Sequence, residues 1–275
     1  MAKIEDAYRN DIEIQVFGLQ RSGNHGVISW LLQQYDTPVV FLNNVTQFTD
    51  PFRNWHAGAV ANMMKVSHNQ PAQLEMLRAS QKKLLVCSYE NLTLKRLRHE
   101  ALVPDKEAMI GNSRSVRRIL LARDFFNWAS SRLKLFEYRK QDVSAQIRNF
   151  APLIALWISY AREFSGETDF LRGEEVVKIS YSRWTQDREY RSYILGRLGL
   201  PLVNNSNDVV PAVGGGSSFD TTSFSGHAEK MAVQERWHYL LEPQFAPVIE
   251  VIKANRTEIE ALNSAIFGAP WVLDT

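Results

Sequence analysis

The sequence contains a single cysteine, Cys87, among its 275 residues. One cysteine excludes an intrachain disulfide and any metal site built from several thiolates. The sequence also lacks an excess of charge of one sign, since 32 Lys and Arg stand against 30 Asp and Glu. Nucleic acid is therefore not an expected partner, and any recognition of anions must come from a few locally placed groups.

Long apolar runs are missing as well. The N-terminal stretch MAKIEDAYRNDIEI alternates charged and apolar residues and has no apolar region typical of a signal peptide. No run approaches the roughly 18 apolar residues that a membrane helix needs. We therefore expect a cytoplasmic protein without stable membrane insertion. Its apolar content of 45% is enough for a full core, and we expect one domain over residues 1–275.

Short apolar segments alternate with amphipathic ones along the chain. Strands are predicted at 12–18, 37–42, 83–89, 118–122 and 176–180, with helices between most of them. This alternation predicts a three-layer α/β/α fold around a central, mostly parallel sheet. Residues 55–80 are expected to be helical in pieces, 202–226 to form a surface loop, and 228–264 to be helical. Ligands of such sheets bind where the strands end, here after Gly18, Tyr89, Ala122 and Ser180.

The first predicted strand leads through Gly18-Leu-Gln-Arg-Ser-Gly23 into a helix. Such an arrangement binds phosphate, because the N–H groups at a helix N-terminus are unpaired. The two glycines are spaced as in a Walker A loop, but Asn24 and His25 follow, where a nucleotide triphosphatase needs Lys and then Ser or Thr. The cation lies inside the loop instead, as Arg21. A βα turn that binds no ligand is the alternative interpretation.

The hexapeptide QRSGNH resembles the 5′-phosphosulfate loop of sulfotransferases that use 3′-phosphoadenosine 5′-phosphosulfate (PAPS). Arg21, Ser22 and Gly23 match the family pattern of Lys or Arg followed by Ser-Gly. Asn24 and His25 replace the usual pair of small hydroxyl residues, and both can still donate hydrogen bonds. The resemblance implies that these five residues bind the 5′-phosphate end of the nucleotide.

Arg123 and Ser131 lie eight residues apart in the stretch LLARDFFNWASSRL. Arg123 ends a predicted strand and Ser131 lies on the following helix, where a guanidinium and a hydroxyl can share one phosphate. In the sulfotransferase family this spacing belongs to the 3′-phosphate site, and Phe125 stands where the family usually has Pro. The alternative is that Arg123-Asp124 only caps the helix, with Asp124 as the N-cap.

Two later segments extend the resemblance. The segment VKISY ends at Tyr181, precedes a helix that closes with LGLP, and resembles the family's tyrosine-containing loop beside the adenine. A tyrosine at the edge of the core is the alternative. The segment 214–218, with Gly215, Gly216 and Ser217, resembles together with Arg236 the late loop that closes over the 3′-phosphate. A flexible surface linker is the other interpretation of this segment.

Glu90 follows the third predicted strand directly, at the expected ligand edge. In the family the general base follows the corresponding strand, so Glu90 is the predicted base. His56 competes with it, because histidine is the commonest general base near neutral pH. Lys65, His68 and His25 are further candidates.

The resemblance implies in-line transfer of a sulfuryl group from PAPS to a hydroxyl or amine, with release of 3′-phosphoadenosine 5′-phosphate (PAP). Arg21 would stabilise the charge that grows during transfer, and no metal is needed. The acceptor, a small molecule or carbohydrate, is not specified by the sequence. A P-loop kinase or nucleotide hydrolase and a non-catalytic nucleotide-binding module stay open as alternatives. The aromatic candidates for an acceptor pocket are Trp55, Trp128, Phe136, Tyr138 and Trp157.

Overall fold

The computed structural model describes residues 8–56, 59–62, 64–67, 69–172, 175–212 and 215–274. Within these ranges seven strands form one sheet: β1 (Asn10–Gly18), β2 (Val39–Leu42), β3 (Ala59–Ala61), β4 (Met64–Val66), β5 (Lys82–Glu90), β6 (Ser113–Ala122) and β7 (Glu175–Ser180). Their order across the sheet is β4-β3-β2-β5-β1-β6-β7. The five strands from β2 to β7 in that order run parallel, and β3 and β4 add an antiparallel hairpin at one edge. The predicted mostly parallel sheet is confirmed.

The described helices cover both faces of the sheet. They are α1 (Asn24–Leu32), α2 (Pro71–Ala79), α3 (Lys106–Met109), α4 (Phe125–Tyr138), α5 (Val143–Ser165), α6 (Tyr181–Gln186), α7 (Arg188–Leu198), α8 (Ala246–Lys253) and α9 (Arg256–Phe267). Short 3-10 helices lie at Leu94–Arg98, Ala228–Lys230, Arg236–Leu241 and Pro243–Phe245. None of the helices in these ranges is both long and apolar enough to cross a membrane.

Alternate side chains of each strand point to opposite faces of the sheet, so the buried apolar residues form two cores. Val16 of β1 faces a core that includes residues of α1, α6 and α7. The next residue, Phe17, faces the opposite core, which includes residues of α4, α5, α8 and α9. Successive side chains of a strand point to opposite faces, so strands that are apolar throughout must be covered on both sides. The predicted three-layer α/β/α arrangement is confirmed.

The strand register brings the ends of four parallel strands to one edge. Gly18, the last residue of β1, lies opposite Glu90 of β5 and Leu121 of β6. Ala122 of β6 lies opposite Ser180 of β7. The strands β2 and β5 lie on one side of β1, and β6 lies on the other side. The chain therefore crosses over β1 between β5 and β6. This change of direction opens a crevice at the carboxyl end of β1, where ligands of open α/β sheets bind.

One expectation about secondary structure was wrong in part. Residues 55–80, expected to be helical in pieces, form α2 at 71–79, but before it they form the β3–β4 hairpin, in which Val60 pairs with Phe41 of β2. Pro71 begins α2, since a first helical residue needs no N–H donor. The expected helical character of 228–264 is confirmed. Residues 228–264 contain three short 3-10 helices before α8 and α9. Pro243 starts the last of these 3-10 helices.

Candidate active site

A cavity of about 500 Å³ opens at the carboxyl edge of the sheet. Its wall combines the loop after β1, the ends of β5 and β6, the start of α6, and parts of 207–218 and 228–236. Its described wall contains one carboxylate, Glu90. In a chain of nearly balanced charge, the excess of cations here predicts an anionic ligand. The cationic side chains of the described wall are Arg21, Lys65, Arg123, Arg139 and Arg236.

The loop between β1 and α1 has the backbone of an anion-binding turn. Arg21 and Gly23 both adopt left-handed conformations, with φ of 74° and 95°, and Gly23 caps the N-terminus of α1. This arrangement leaves the N–H groups at the start of α1 available to an anion. A Cβ atom on Gly23 would lie 2.1 Å from the ring of Tyr181, so only glycine fits. Ser22 is buried and does not contribute to the described cavity wall.

The side chain of Asn24 is committed to the protein. Its Nδ2 donates to the Leu19 carbonyl at 3.1 Å and to Glu90 Oε1 at 2.9 Å, which uses both amide protons. Gly18 makes room for it, because a Cβ there would lie 2.0 Å from Asn24 Oδ1. Asn24 therefore holds Glu90 through its side chain, and its N–H at the start of α1 is the group that a phosphate can reach.

Arg123 is a buried guanidinium at the end of β6. Its Nη1 donates to Ser131 Oγ at 3.0 Å and to the Arg21 carbonyl at 3.3 Å, and its Nη2 donates to the Val233 carbonyl at 2.7 Å. Of its five N–H donors, three are thus used by neutral acceptors. Burial lowers the pKa of Arg123 to about 10. A charge that is desolvated and lacks a carboxylate partner among the described residues is stabilised by a bound anion.

Ser131 orients Arg123 rather than presenting a free hydroxyl. Its Oγ accepts from Arg123 and donates to the Asn127 carbonyl at 3.0 Å, one turn back on α4. The helix is fixed at its start by Asp124, whose Oδ1 accepts from the Asn127 N–H at 3.0 Å. The predicted N-cap is therefore present. The predicted pair of Arg123 and Ser131 is brought together, and the hydroxyl contacts the guanidinium.

The glycine-rich segment contacts both Arg21 and Ser131, the hydrogen-bond partner of Arg123. The Gly216 carbonyl accepts from Arg21 Nη2 at 3.2 Å, and Ser218 Oγ donates to the Ser131 carbonyl at 3.2 Å. Gly216 has a φ of 73°, and a Cβ there would lie 2.5 Å from the Thr221 carbonyl oxygen. Residue 214 lies outside the described residues. The segment packs over the loop after β1 instead of projecting as a linker.

Arg236 fixes this segment from the other side. Its Nη2 donates to Ser217 Oγ at 2.9 Å and to Asp220 Oδ2 at 2.9 Å. Its guanidinium lies 4.9 Å from the centre of the Phe219 ring. Burial lowers the pKa of Arg236, as it lowers that of Arg21. Three desolvated arginines, Arg21, Arg123 and Arg236, therefore line the cavity.

Tyr181 packs against both the loop after β1 and Arg123. It begins α6 directly after β7, so the predicted loop at this point is absent. Its ring contacts Gly23, lies 5.2 Å from the guanidinium of Arg123, and stacks on Trp184 with centroids 5.8 Å apart. Tyr181 lines the cavity and also supports the loop after β1. Both predicted interpretations, a ring beside the nucleotide and a tyrosine at the core edge, fit these contacts.

The base candidates occupy different places. Glu90 lines the cavity, and its backbone N–H donates to Asn44 Oδ1 at 3.3 Å. His25 also lines the cavity, with Nε2 at 2.9 Å from Asn43 Oδ1. His56 is exposed, pairs with Thr46 Oγ1 at 3.0 Å, and does not contribute to the described cavity wall. Residue 68 lies outside the described part of the chain.

The aromatic candidates for an acceptor pocket do not line the cavity in its described part. Trp55, Trp128, Phe136 and Trp157 are buried in the core, and Tyr138 is 85% exposed. Sequence reasoning did not single out Asn43, Asn44 and Arg139, which do line it. The two asparagines directly follow β2, so the rule about strand ends applied to them as well. Arg139 follows the last residue of α4, where no motif and no strand end indicates a cavity residue.

Comparisons with known proteins give likenesses to solved structures at low sequence identity. No family model matches the chain, and no curated protein matches it. Among solved structures, mouse sulfotransferase SULT7A1 complexed with PAP is 13% identical, with 94% of this chain and 90% of that chain covered and a TM-score of 0.48. The sulfotransferase domain of the Synechococcus PCC 7002 olefin synthase is 13% identical, with 92% and 96% covered and a TM-score of 0.47. At these values neither likeness assigns a role to any residue of this chain.

Proposed function

We propose that the chain is a sulfotransferase that uses PAPS as donor and transfers the sulfuryl group to an acceptor hydroxyl or amine. The observation that carries the proposal is the direct link between two anion-binding groups in one cavity. Arg123 Nη1 donates to the carbonyl of Arg21 at 3.3 Å, so the arginine after β6 touches the loop after β1. A nucleotide with phosphates at both its 5′ and 3′ positions has the charge distribution that such a pair recognises.

The 5′ end of the donor is assigned to the loop after β1, with the N–H groups at the start of α1 and Arg21. The 3′-phosphate is assigned to Arg123, Arg236 and the segment 215–218. Tyr181 lies between them and offers an aromatic surface to the adenosine. The residues fit this donor because the buried guanidinium of Arg123 has donors left after its three contacts with neutral acceptors.

A kinase or nucleotide hydrolase is not favoured. Such an enzyme needs a lysine after the second glycine to contact the β- and γ-phosphates. Asn24 occupies that position, and its amide is turned to Leu19 and Glu90. The loop therefore has groups that can bind one phosphate and the sulfuryl group attached to it. It lacks the lysine that would contact a triphosphate.

Glu90 is the proposed general base. Its Oε1 accepts from Asn24, and its Oε2 makes no hydrogen bond within the described residues. That oxygen is free to accept the acceptor's proton as the acceptor oxygen attacks sulfur. The bond between sulfur and the 5′-phosphate oxygen breaks at the same time, and its electron pair stays on the PAP that leaves. Arg21 stabilises the charge that develops on that phosphate.

Titration calorimetry with PAP, 5′-AMP and ATP–Mg²⁺ tests the donor assignment. We expect PAP to bind more tightly than 5′-AMP, and ATP–Mg²⁺ to bind no better than 5′-AMP. Arg123→Met should weaken PAP binding by about 1.5–6 kcal/mol, because one or two charge-assisted bonds at about 1.5–3 kcal/mol each are lost. Binding of 5′-AMP should change little. Equal losses for both ligands would refute the 3′-phosphate assignment.

A second measurement separates the enzyme from a non-catalytic module. Glu90→Gln keeps the size of the side chain and one oxygen that can accept from Asn24, but it removes the proton acceptor. We expect PAP affinity to persist while transfer from PAPS is lost for a panel of phenols, alcohols, amines and sugars that includes neutral and acidic members. If the wild-type chain binds PAP and transfers sulfuryl to no member of the panel, the module interpretation is supported. His56→Ala serves as the matched control and should keep wild-type rates.

A further inference from the structure

The cavity continues past the donor-binding groups to a second end with its own charges. Glu90, Asn43 and Asn44 lie at this end, next to the edge where β2 carries the β3–β4 hairpin. Lys65 of β4 reaches the same wall, from a position opposite Val60 of β3. The donor end, with Arg123 and Tyr181, lies at the other side of β1. Acceptor and donor therefore enter from opposite sides of the central strand.

The path of α4 brings Arg139 to the cavity. The helix passes the loop after β1, where Trp128 Nε1 donates to the Gln20 carbonyl at 3.1 Å and Arg132 donates to Gln20 Oε1. Arg139 follows almost two turns after Arg132, at the C-terminus of the helix, and lines the cavity. The pKa of Arg21, which lines the same cavity, is lowered mainly by burial, and the charge of Arg139 adds to that lowering.

Lys65 and Arg139 differ from other cations near the cavity in forming no ion pair with the described residues. Within the described residues, neither side chain has a carboxylate partner within salt-bridge distance. Nearby cations differ in this respect, since Lys134 on α4 pairs with Glu137 at 2.6 Å and Arg236 pairs with Asp220 at 2.9 Å. The two positions assigned to the phosphates of the donor already have Arg21, Arg123 and Arg236.

We infer that Lys65 and Arg139 bind an acidic group of the acceptor, so the acceptor is a hydroxyl or amine compound that carries a carboxylate, sulfate or phosphate near the reacting atom. This inference rests on the proposed function. Both cations line the same cavity as Glu90, the proposed base, and a neutral acceptor would supply no counterion to either of them. An uncharged phenol or alcohol lacking such a group is a poor match for this wall.

The test uses two probes that differ in one carboxylate, methyl β-glucuronide and methyl β-glucoside. Each is titrated by ligand-observed NMR into the full chain saturated with PAP, so that the donor-binding groups are occupied. The glucuronide should bind about tenfold more tightly than the glucoside, the effect of one charge-assisted contact. Added salt should reduce this difference, because the cations are partly exposed to solvent.

Substitutions locate the effect. Lys65→Gln combined with Arg139→Gln should bring the glucuronide down to the affinity of the glucoside, without changing PAP affinity. Lys134→Gln, on the same helix but paired with Glu137, is the matched control and should leave both probes unchanged. Equal affinities of the wild type for the two probes, including no detectable binding of either, would overturn the inference. Loss of PAP affinity in the double variant would overturn it too, because both cations would then serve the donor. Failure of the wild type to bind PAP would instead refute the proposed function.

Discussion

The contact between Gly18, Asn24 and Glu90 gives the sharpest prediction. Replacing Gly18 with alanine introduces a Cβ that would lie 2.0 Å from Asn24 Oδ1 and 3.0 Å from its Cγ. The backbone of Gly18 is an ordinary strand backbone, so the conflict is steric and concerns this one side chain. Asn24 must move, and it then loses its bonds to Leu19 and Glu90.

The cost follows from those two bonds. A neutral hydrogen bond is worth about 0.5–1.5 kcal/mol and one to a charged group about 1.5–3 kcal/mol, so Gly18→Ala should destabilise the fold by about 2–4 kcal/mol. For a chain of this size, a loss of about 1 kcal/mol lowers the melting temperature by roughly 2–4 °C. We therefore expect a drop of roughly 5–15 °C in a thermal melt.

A double-mutant cycle decides whether the steric argument is right. Asn24→Ala removes both bonds and also the atom that the new Cβ would meet. Gly18→Ala should therefore cost nearly nothing in the Asn24→Ala background, and the coupling energy should equal the cost of Gly18→Ala alone. Additive effects of the two substitutions would show that Gly18 is required for another reason. The single variants should also lose sulfuryl transfer more than PAP affinity, since Glu90 is no longer held.

Three further outcomes are expected. Gly23→Ala should abolish PAP binding, because a Cβ would lie 2.1 Å from the ring of Tyr181 and the backbone is left-handed; isothermal titration checks this. Burial raises the pKa of the Cys87 thiol, so iodoacetamide should label the native chain only as fast as it unfolds; labelling that is independent of denaturant would contradict this. Asp124→Ala should lower stability by about 1 kcal/mol through loss of the N-cap of α4, as measured in urea.

The alternation of apolar segments was enough to predict the parallel sheet and the edge at which ligands bind. Continuous apolar strands such as 84–87 must be buried on both faces, which determines the layers. Gly18 and Arg123 were placed correctly at strand ends, because Gly18 is the last residue of its strand and Arg123 follows its strand directly. Their closeness in space depends on β1 and β6 being neighbours, which the strand pairing shows.

Other features depended on contacts that local sequence does not encode. The β3–β4 hairpin has strands of three residues each, too short for periodicity to distinguish them from broken helix. The role of Asn24 follows from the position of Glu90, 66 residues later in the chain. Arg139 reaches the cavity only because α4 is long enough to pass the loop after β1. These contacts are tertiary, and no spacing within one segment predicts them.

The β3–β4 hairpin lies apart from the groups assigned to the nucleotide, so the proposed binding of donor and of acceptor depends on different parts of the sheet. The arginines assigned to the two phosphates, Arg21 and Arg123, follow the interior strands β1 and β6, whose displacement would disturb the whole sheet. Lys65, in contrast, lies on an outermost strand with a neighbour on one side only. Mutation can therefore change that edge of the sheet at little cost to folding. If Lys65 binds the acceptor as inferred, the acceptor specificity can change there while the groups assigned to the donor stay unchanged.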